Sequence, residues 1–399
     1  MKKIQYYFTP IFLFILLGLN ACSNNKQLNS KPVKKQTQAH QVTAVDLKTI
    51  NTLESFSSRL AKHRVVFVGE MHTDYGDHLN QLAVIKSVHK HWGNNISIGL
   101  EMIQHPYQSY LDDYIAGKIN EHEMLRGTQW YDRWRYDFRL YRPIFDYAKQ
   151  NKIPLIALNI PKELTKRVSK VGIKGLNSEE RKQLPKVLDK SNAAYRARLK
   201  KVFSMHSRTS SKGFEKFFES QLAWDEGMAF AAAKYLKKNP SQQMVIIAGG
   251  GHIIKREGIP DRLERQIQAK PAVVLNSLNG IPDSGHGDYL LFSPEAKLAP
   301  AGKIGISMDD TPKGVVIASV LHHGAGSKAK LLKGDLIKKI GSTVIKNTTD
   351  VMLWALDKKP GHATTIETSR NSQFKTSKLI LGKKKPFSMF GKKSIHGKK

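Results

Sequence analysis

Two Gly-x-x-His segments, Gly69-Glu70-Met71-His72 and Gly249-Gly250-Gly251-His252, each begin where a run of apolar residues stops. Glu101 follows a third such run and Asn159 closes a fourth. Carboxylates and imidazoles are the groups that bind a metal, carry a proton near neutral pH or complete the ligand shell of a cofactor. Glu70 and His72 lie two apart on an extended stretch and so project to one side. The glycines ahead of them permit a sharp turn and a close backbone approach. Each residue also has a plainer use. Glu70 and His72 could be a surface pair, Glu101 could cap a helix or pair with an arginine, and His252 could open a helix behind a nest of glycine N–H groups. His78 starts an amphipathic stretch and suits a backbone partner as well as a ligand. Asp225-Glu226, beside Trp224, either reach the same place or offset lysines.

The elements that must position these groups are visible in the apolar pattern. Val65 to Val68, Ile96 to Leu100, Ile153 to Leu158, Met244 to Ala248 and Ala272 to Leu275 are nearly continuous rather than alternating, which predicts strands buried on both faces. Helical stretches at Leu79 to His91, Pro106 to Ala116, Leu140 to Gln150 and Phe214 to Lys238 lie between them. The fold class is therefore α/β, a layered and mostly parallel sheet with flanking helices, over residues 45–295. Residues 172–213 lack a strand candidate and read as a helical insertion. In a parallel sheet all carboxyl ends share one edge, so Glu70, His72, Glu101, Asn159 and His252 should meet in one crevice, where such folds bind ligands.

The same residues carry a resemblance. Gly69 to His72 with Asp74 and His78, Gly99-Leu100-Glu101-Met102, Tyr141-Arg142-Pro143-Ile144, Ala157-Leu158-Asn159-Ile160-Pro161 and Gly251-His252 resemble, in order, the ChaN family of haem-binding lipoproteins. The two Gly-x-x-His elements are also similar to those of the wider superfamily that includes Tiki-type metal-dependent proteases and erythromycin esterases. The resemblance implies non-covalent haem at the crevice, held by His72, His252, Glu70, Glu101 and His78, with a role in haem or iron acquisition. Absence of a Cys-x-x-Cys-His motif excludes covalent attachment. Haem iron needs an axial donor, and Tyr75 and Tyr107, the tyrosines nearest strand ends, are the candidates. The cluster Trp130 to Asp137 offers aromatic walls or ordinary core, and Arg133, Arg135 and Arg142 could pair with propionates. The competing expectation is a metal-dependent hydrolase in which Glu70, His72 and His252 hold a divalent transition metal and Glu101 is ligand or base.

Before the first strand the chain reads as an address. Residues 1–21 have a basic start and a short apolar stretch, Phe8 to Leu19, in signal-peptide order. Leu19-Asn20-Ala21-Cys22 resembles the bacterial lipobox, which implies lipidation of Cys22 and, with Ser23 following, an outer-membrane lipoprotein facing the periplasm or the surface. Residues 22–44 are a polar tether, and 383–399 a basic tail. The net charge of +32 favours anionic partners. An export signal makes membrane lipid or acidic polysaccharide the expected partner, and nucleic acid not. Cys22 is the lone cysteine, so the chain has no internal disulfide framework and no cysteine-clustered metal site.

Residues 301–382 resemble a PDZ domain. Ile304-Gly305-Ile306 matches the loop that in that family receives a peptide carboxylate, and Leu332-Lys333-Gly334-Asp335-Leu336-Ile337 its Gly-Asp turn. The resemblance implies a small β-rich unit that takes a protein C-terminus; a packing module without an open groove is the alternative. Three functions thus compete: a haem carrier, with a homodimer as one option for its assembly; a metal hydrolase; and a tethered adaptor whose first domain is inert.

Overall fold

Burial on both faces is what the nearly continuous apolar runs require, and the computed structural model, which describes residues 50–206, 211–276, 283, 285–292 and 295–383, provides it. Strands β1 (Val65–Glu70), β2 (Ile96–Gln104), β3 (Leu155–Asn159), β4 (Gln243–Gly249), β5 (Ala272–Asn276) and β6 (Tyr289–Leu291) form one parallel sheet in the order β3-β2-β4-β1-β5-β6. Within β1, Val66 and Val68 face one hydrophobic core while Val65 and Phe67 face the other. Fully burying each such side chain stabilises by ~1.5–3 kcal/mol.

The first core is covered by α1 (Leu53–Leu60), α2 (Tyr75–Trp92), α3 (Gln108–Ile115), α4 (Glu121–Gly127), α5 (Trp130–Arg133) and α6 (Arg142–Gln150). On the other face, α7 (Lys162–Val171) leads into the insertion, α8 (Ser178–Lys182) and α9 (Ala193–His206), and then to α10 (Ser211–Lys238) and α11 (Ile259–Ile267). The insertion is helical only in part, since residues 183–192 between α8 and α9 take no helix. Two strand bounds also need correction, and one strand is unanticipated. β2 does not stop at Leu100 but continues to Gln104, so Glu101 lies inside a strand, at a shift in its register with β3. β3 starts at Leu155 rather than Ile153, and β6, only three residues long, has no clear apolar signature. The signal segment, Cys22, the tether and almost all of the basic tail lie outside the described residues.

The second unit is an antiparallel sheet of β7 (Ile306–Thr311), β8 (Gly314–Val320), β9 (Leu336–Ile340), β10 (Thr343–Val344), β11 (Ala363–Arg370) and β12 (Gln373–Ile380), in the order β12-β11-β9-β8-β7 with β10 on β9. Helices α12 (Ala325–Lys328) and α13 (Thr348–Ala355) complete it. Gly305 has φ +76°, where a side chain would be strained, and its carbonyl accepts from Leu321 N at 2.8 Å. β7 is an edge strand with α13 against it, and Asp310 ties the two by accepting from Thr348 N and Oγ1. The units dock through α13. Leu353 and Leu356 bury into the first unit's core, Asp350 pairs with Arg126 at 2.7 Å and Asp357 with Arg142 at 2.6 Å.

Candidate functional site

Three neighbouring strands supply the centre of the site: Glu70 ends β1, Glu101 lies in β2, and β4, which runs between them, leads into His252. His72 Nδ1 meets Glu70 Oε1 at 2.5 Å, and His78 Nε2 faces Glu70 Oε2 at 3.8 Å. Glu101 accepts from Gly249 N at 2.6 Å through Oε2 and faces His252 Nε2 at 3.4 Å through Oε1. His252 Nδ1 meets Asp225 Oδ1 at 2.5 Å, and the Tyr195 hydroxyl donates to Asp225 Oδ2 at 2.6 Å. One donor atom from each of Glu70, His72 and Glu101 lies within 4.8 Å of the others. Glu70 Oε2 is buried without a hydrogen-bond partner, an orphan acceptor of the kind that functional sites retain.

Local sequence explains the placement. Asp74 caps α2 by accepting from Gly76 N and Asp77 N, and Asp77 accepts from Met71 N at 2.8 Å, so the chain turns just past His72. Gln81 donates to Val68 O and stands 3.0 Å from His78 Nδ1, fixing that ring toward Glu70. Gly249 is required by packing: a Cβ there would lie 2.9 Å from His72 Cε1 and 3.6 Å from Glu101 Oε2. Asn159 does not point into the cluster but donates to Glu101 O at 2.7 Å, supporting the backbone of β2.

The electrostatics follow from burying three carboxylates beside imidazoles. Burial opposes the charge on His252, but Asp225 and Glu101 outweigh it and push its pKa from 6.5 up to about 9. His72 is raised as well, since Glu70, then Glu101, overcome its burial. Asp225, buried though it is, is held below the usual carboxylate range chiefly by His252. Burial pushes Asp77 up to about 7, with Asp74 and Glu70 adding to the effect. The Tyr136 and Tyr141 hydroxyls are raised by burial and by Glu70.

Aromatic rings wall the site. His72 meets Trp134 edge-on at 4.7 Å and Tyr136 at 4.9 Å, while Trp224 meets His252 at 5.1 Å. The crevice thus brings together Glu70, His72, His78, Glu101 and His252, as expected, takes Asp225 by the first of the two uses its sequence left open, and adds Tyr195, Tyr136 and Tyr141. Tyr75 opens α2 and packs on the first core, and Tyr107 lies under Arg133, 4.8 Å from ring centre to guanidinium; Tyr136 is the tyrosine against His72. Of the three arginines, Arg142 is committed to Glu121 and Asp357, and Arg133 to Gln104, Gln129 and Glu163, so the expected propionate pairing fails for both. Arg135 is exposed at φ +73° between Trp134 and Tyr136, and its guanidinium has no partner among the described residues. Glu226 turns away from the crevice to Arg262 and Arg265.

The chain is thus a two-domain protein, a parallel α/β layer with an imidazole–carboxylate cluster at the carboxyl edge of its central strands followed by a small antiparallel module. The chain belongs to the family described as haem-binding uptake, Tiki superfamily, ChaN, whose model matches residues 56–263. Residues 302–381 match the PDZ domain. A solved structure described as cofacial heme binding to ChaN of Campylobacter jejuni is similar with a TM-score of 0.50 and 19% identity, covering 60% of this chain and 91% of that one. A curated relative, Protein RETICULATA-RELATED 5, chloroplastic, of Arabidopsis thaliana, is 22% identical over 242 residues; the match spans 54% of this chain and 31% of that protein's length. The HtrA-type protease AlgW with decapeptide is 24% identical over 22% of this chain and 30% of that chain, with a TM-score of 0.21.

Proposed function

We propose that the first unit binds haem non-covalently at the strand-edge crevice and serves haem or iron uptake. The observation that carries this reading is the wall around His72: two large aromatic rings, Trp134 and Tyr136, with the unpaired Arg135 between them in sequence. A porphyrin asks for such a combination, an apolar slot, a nitrogen or oxygen donor and a cation for its propionates. Haem supplies the iron chemistry when bound. The chain's part is to present Tyr136 or His72 as donor and to hold the propionates at Arg135. Haem titration of the mature chain should give a saturable Soret shift. Tyr136→Phe, which keeps the ring and removes the oxygen, should weaken it and change the band position, and Arg135→Glu should weaken it without moving the band. Tyr75→Phe and Tyr107→Phe test the other two tyrosines. A Soret band unmoved by all of these variants and by His72→Ala would sink the reading. Face-to-face haems would call for a second wall, so a homodimer should form on loading, read by light scattering.

A second reading rests on a separate observation, the Glu70, His72 and Glu101 donor atoms gathered within 4.8 Å. A divalent transition metal would sit among them, with His252 beside it, and a hydrolytic water would be its substrate partner. Stoichiometric zinc retained through dialysis, together with peptide or ester cleavage only in its presence, would favour this reading over the first.

We further propose that Cys22 carries the lipid that tethers the chain to the outer membrane, and that the groove between β7 and α13 takes a protein C-terminus at Ile304-Gly305-Ile306. Cys22→Ser should abolish acyl labelling. A peptide that binds residues 301–382 should lose its affinity when its carboxylate is amidated.

A further inference from the structure

The insertion and the helices α10 and α11 line a cleft of about 940 Å³. It has two unlike surfaces. Leu184, Pro185 and Val187 of the non-helical stretch form one apolar strip, and Phe230 of α10 is the apolar residue opposite. Val187 is 77% exposed and Phe230 38%, which leaves two large apolar side chains of one cleft open to water. The second surface is cationic, with five basic side chains against the carboxylates of Asp189 and Glu226.

The pairing within the cleft says how much charge is left for a ligand. Glu226 faces Arg262 and Arg265, Asp189 faces Arg265, and Lys182 is paired with Glu179. Two cations remain. The Arg181 guanidinium donates only to the carbonyls of Leu184, Pro185 and Lys186, so no carboxylate offsets its charge among the described residues. The Lys186 ammonium has no hydrogen-bond or ion-pair partner among them. Both flank the apolar strip, so a ligand for this cleft carries a small anionic head at Arg181 and Lys186 and an apolar body along Val187 toward Phe230. Excess positive charge excludes a metal cation. The lining holds no histidine, tyrosine, cysteine or methionine, so it offers haem iron no side-chain donor. Phosphate alone would leave Val187 and Phe230 in water.

We propose that this cleft binds a long-chain carboxylate of the fatty-acid type, one chain per protein. The site is independent of the haem reading and lies behind it: Arg262, at the cleft's inner wall, stacks on Tyr195 at 4.4 Å, and Tyr195 bonds Asp225.

The mature full-length chain titrated with dansyl-undecanoate should give saturable fluorescence, with laurate and oleate displacing the probe. Lys186→Glu and Val187→Asp, both at the surface, should each weaken binding about tenfold, with the thermal melt and the haem titration those of the parent. If Val187→Asp lowers the melting temperature, Lys186→Gln carries the test. The proposal falls if the probe does not saturate, or if the variants bind as the parent does. It falls too if methyl laurate, acetate or inorganic phosphate competes as well as laurate, since an apolar patch or a bare anion site would then suffice. Haem displacing the probe, with these variants weakening haem, would assign the cleft to haem and overturn it as a separate site. A haem titration that fails while the probe binds leaves this proposal standing and removes the other.

Discussion

Replacing His252 with Gln should flatten the chain's stability profile between pH 6.5 and 9. In the folded chain His252 lies between Asp225 and Glu101 and is itself almost buried, and its pKa rises from 6.5 to about 9. Folding therefore favours the imidazolium. Below pH 6.5 the ring is protonated folded or unfolded, and its full contribution is present; as pH climbs to about 9 the contribution is lost. At ~1.4 kcal/mol per pH unit, that interval is worth about 3 kcal/mol. His72 is raised too and Asp77 is pushed up to about 7, so the parent's slope alone is ambiguous. Both groups remain in His252→Gln, so the difference between the curves reports His252 together with the further rise in His72 that its removal releases. Urea unfolding of both chains at half-unit pH steps should show the parent's advantage shrinking by about 3 kcal/mol from pH 6.5 to 9. The variant should be several kcal/mol weaker at the acidic end, because Asp225 and Glu101 then lose their buried counter-charge. Parallel curves across that window would refute the reasoning.

Gly249→Ala should cost ~1–3 kcal/mol by overpacking and should weaken haem binding, because the new methyl would press on the His72 ring at 2.9 Å. Gly250→Ala, whose methyl would meet only Glu70 O at 3.8 Å, is the control in the same melts and titrations. Leu356→Asp should undock α13 from the first unit at a cost of about 2 kcal/mol, read as faster proteolysis between residues 295 and 303 and as two unfolding transitions in place of one. Arg142→Gln, which breaks the pair to Asp357, should act in the same direction with smaller size.

Legibility in the sequence tracked how local the cause was. Five of the six parallel strands are readable because each is a short apolar run buried on both faces, a property of consecutive residues. The edge on which Glu70, Glu101 and His252 meet follows from parallel topology alone. The order of the strands does not: β4, late in the chain, lies between β1 and β2, and this insertion sets Gly249 N against Glu101 and His72 above Gly249. Asp225 and Tyr195 reach the site by helix rotation and by the packing of the insertion, which no spacing in the sequence encodes. The same holds for Tyr136. It stands in an aromatic cluster that reads equally as core, and only the turn after α5, with Trp130 Nε1 donating to Tyr136 O at 2.8 Å, brings it to His72.

The contact between the two units leaves a trace in the sequence of α13. Helix α13, Thr-Thr-Asp-Val-Met-Leu-Trp-Ala, has apolar residues on more than one side, and Leu356 follows directly. A helix on the surface of a small free-standing module needs one apolar stripe; a helix apolar around more of its circumference is covered on a second face. Val351 goes into the module's own core and Leu353 and Leu356 into that of the first unit, so the helix divides its apolar surface between two domains. α13 also packs against the edge strand β7. A guest strand bound beside β7, as proposed above, and the first unit would contact the same eight-residue helix from different sides, with α5 and its aromatic turn next in line toward His72.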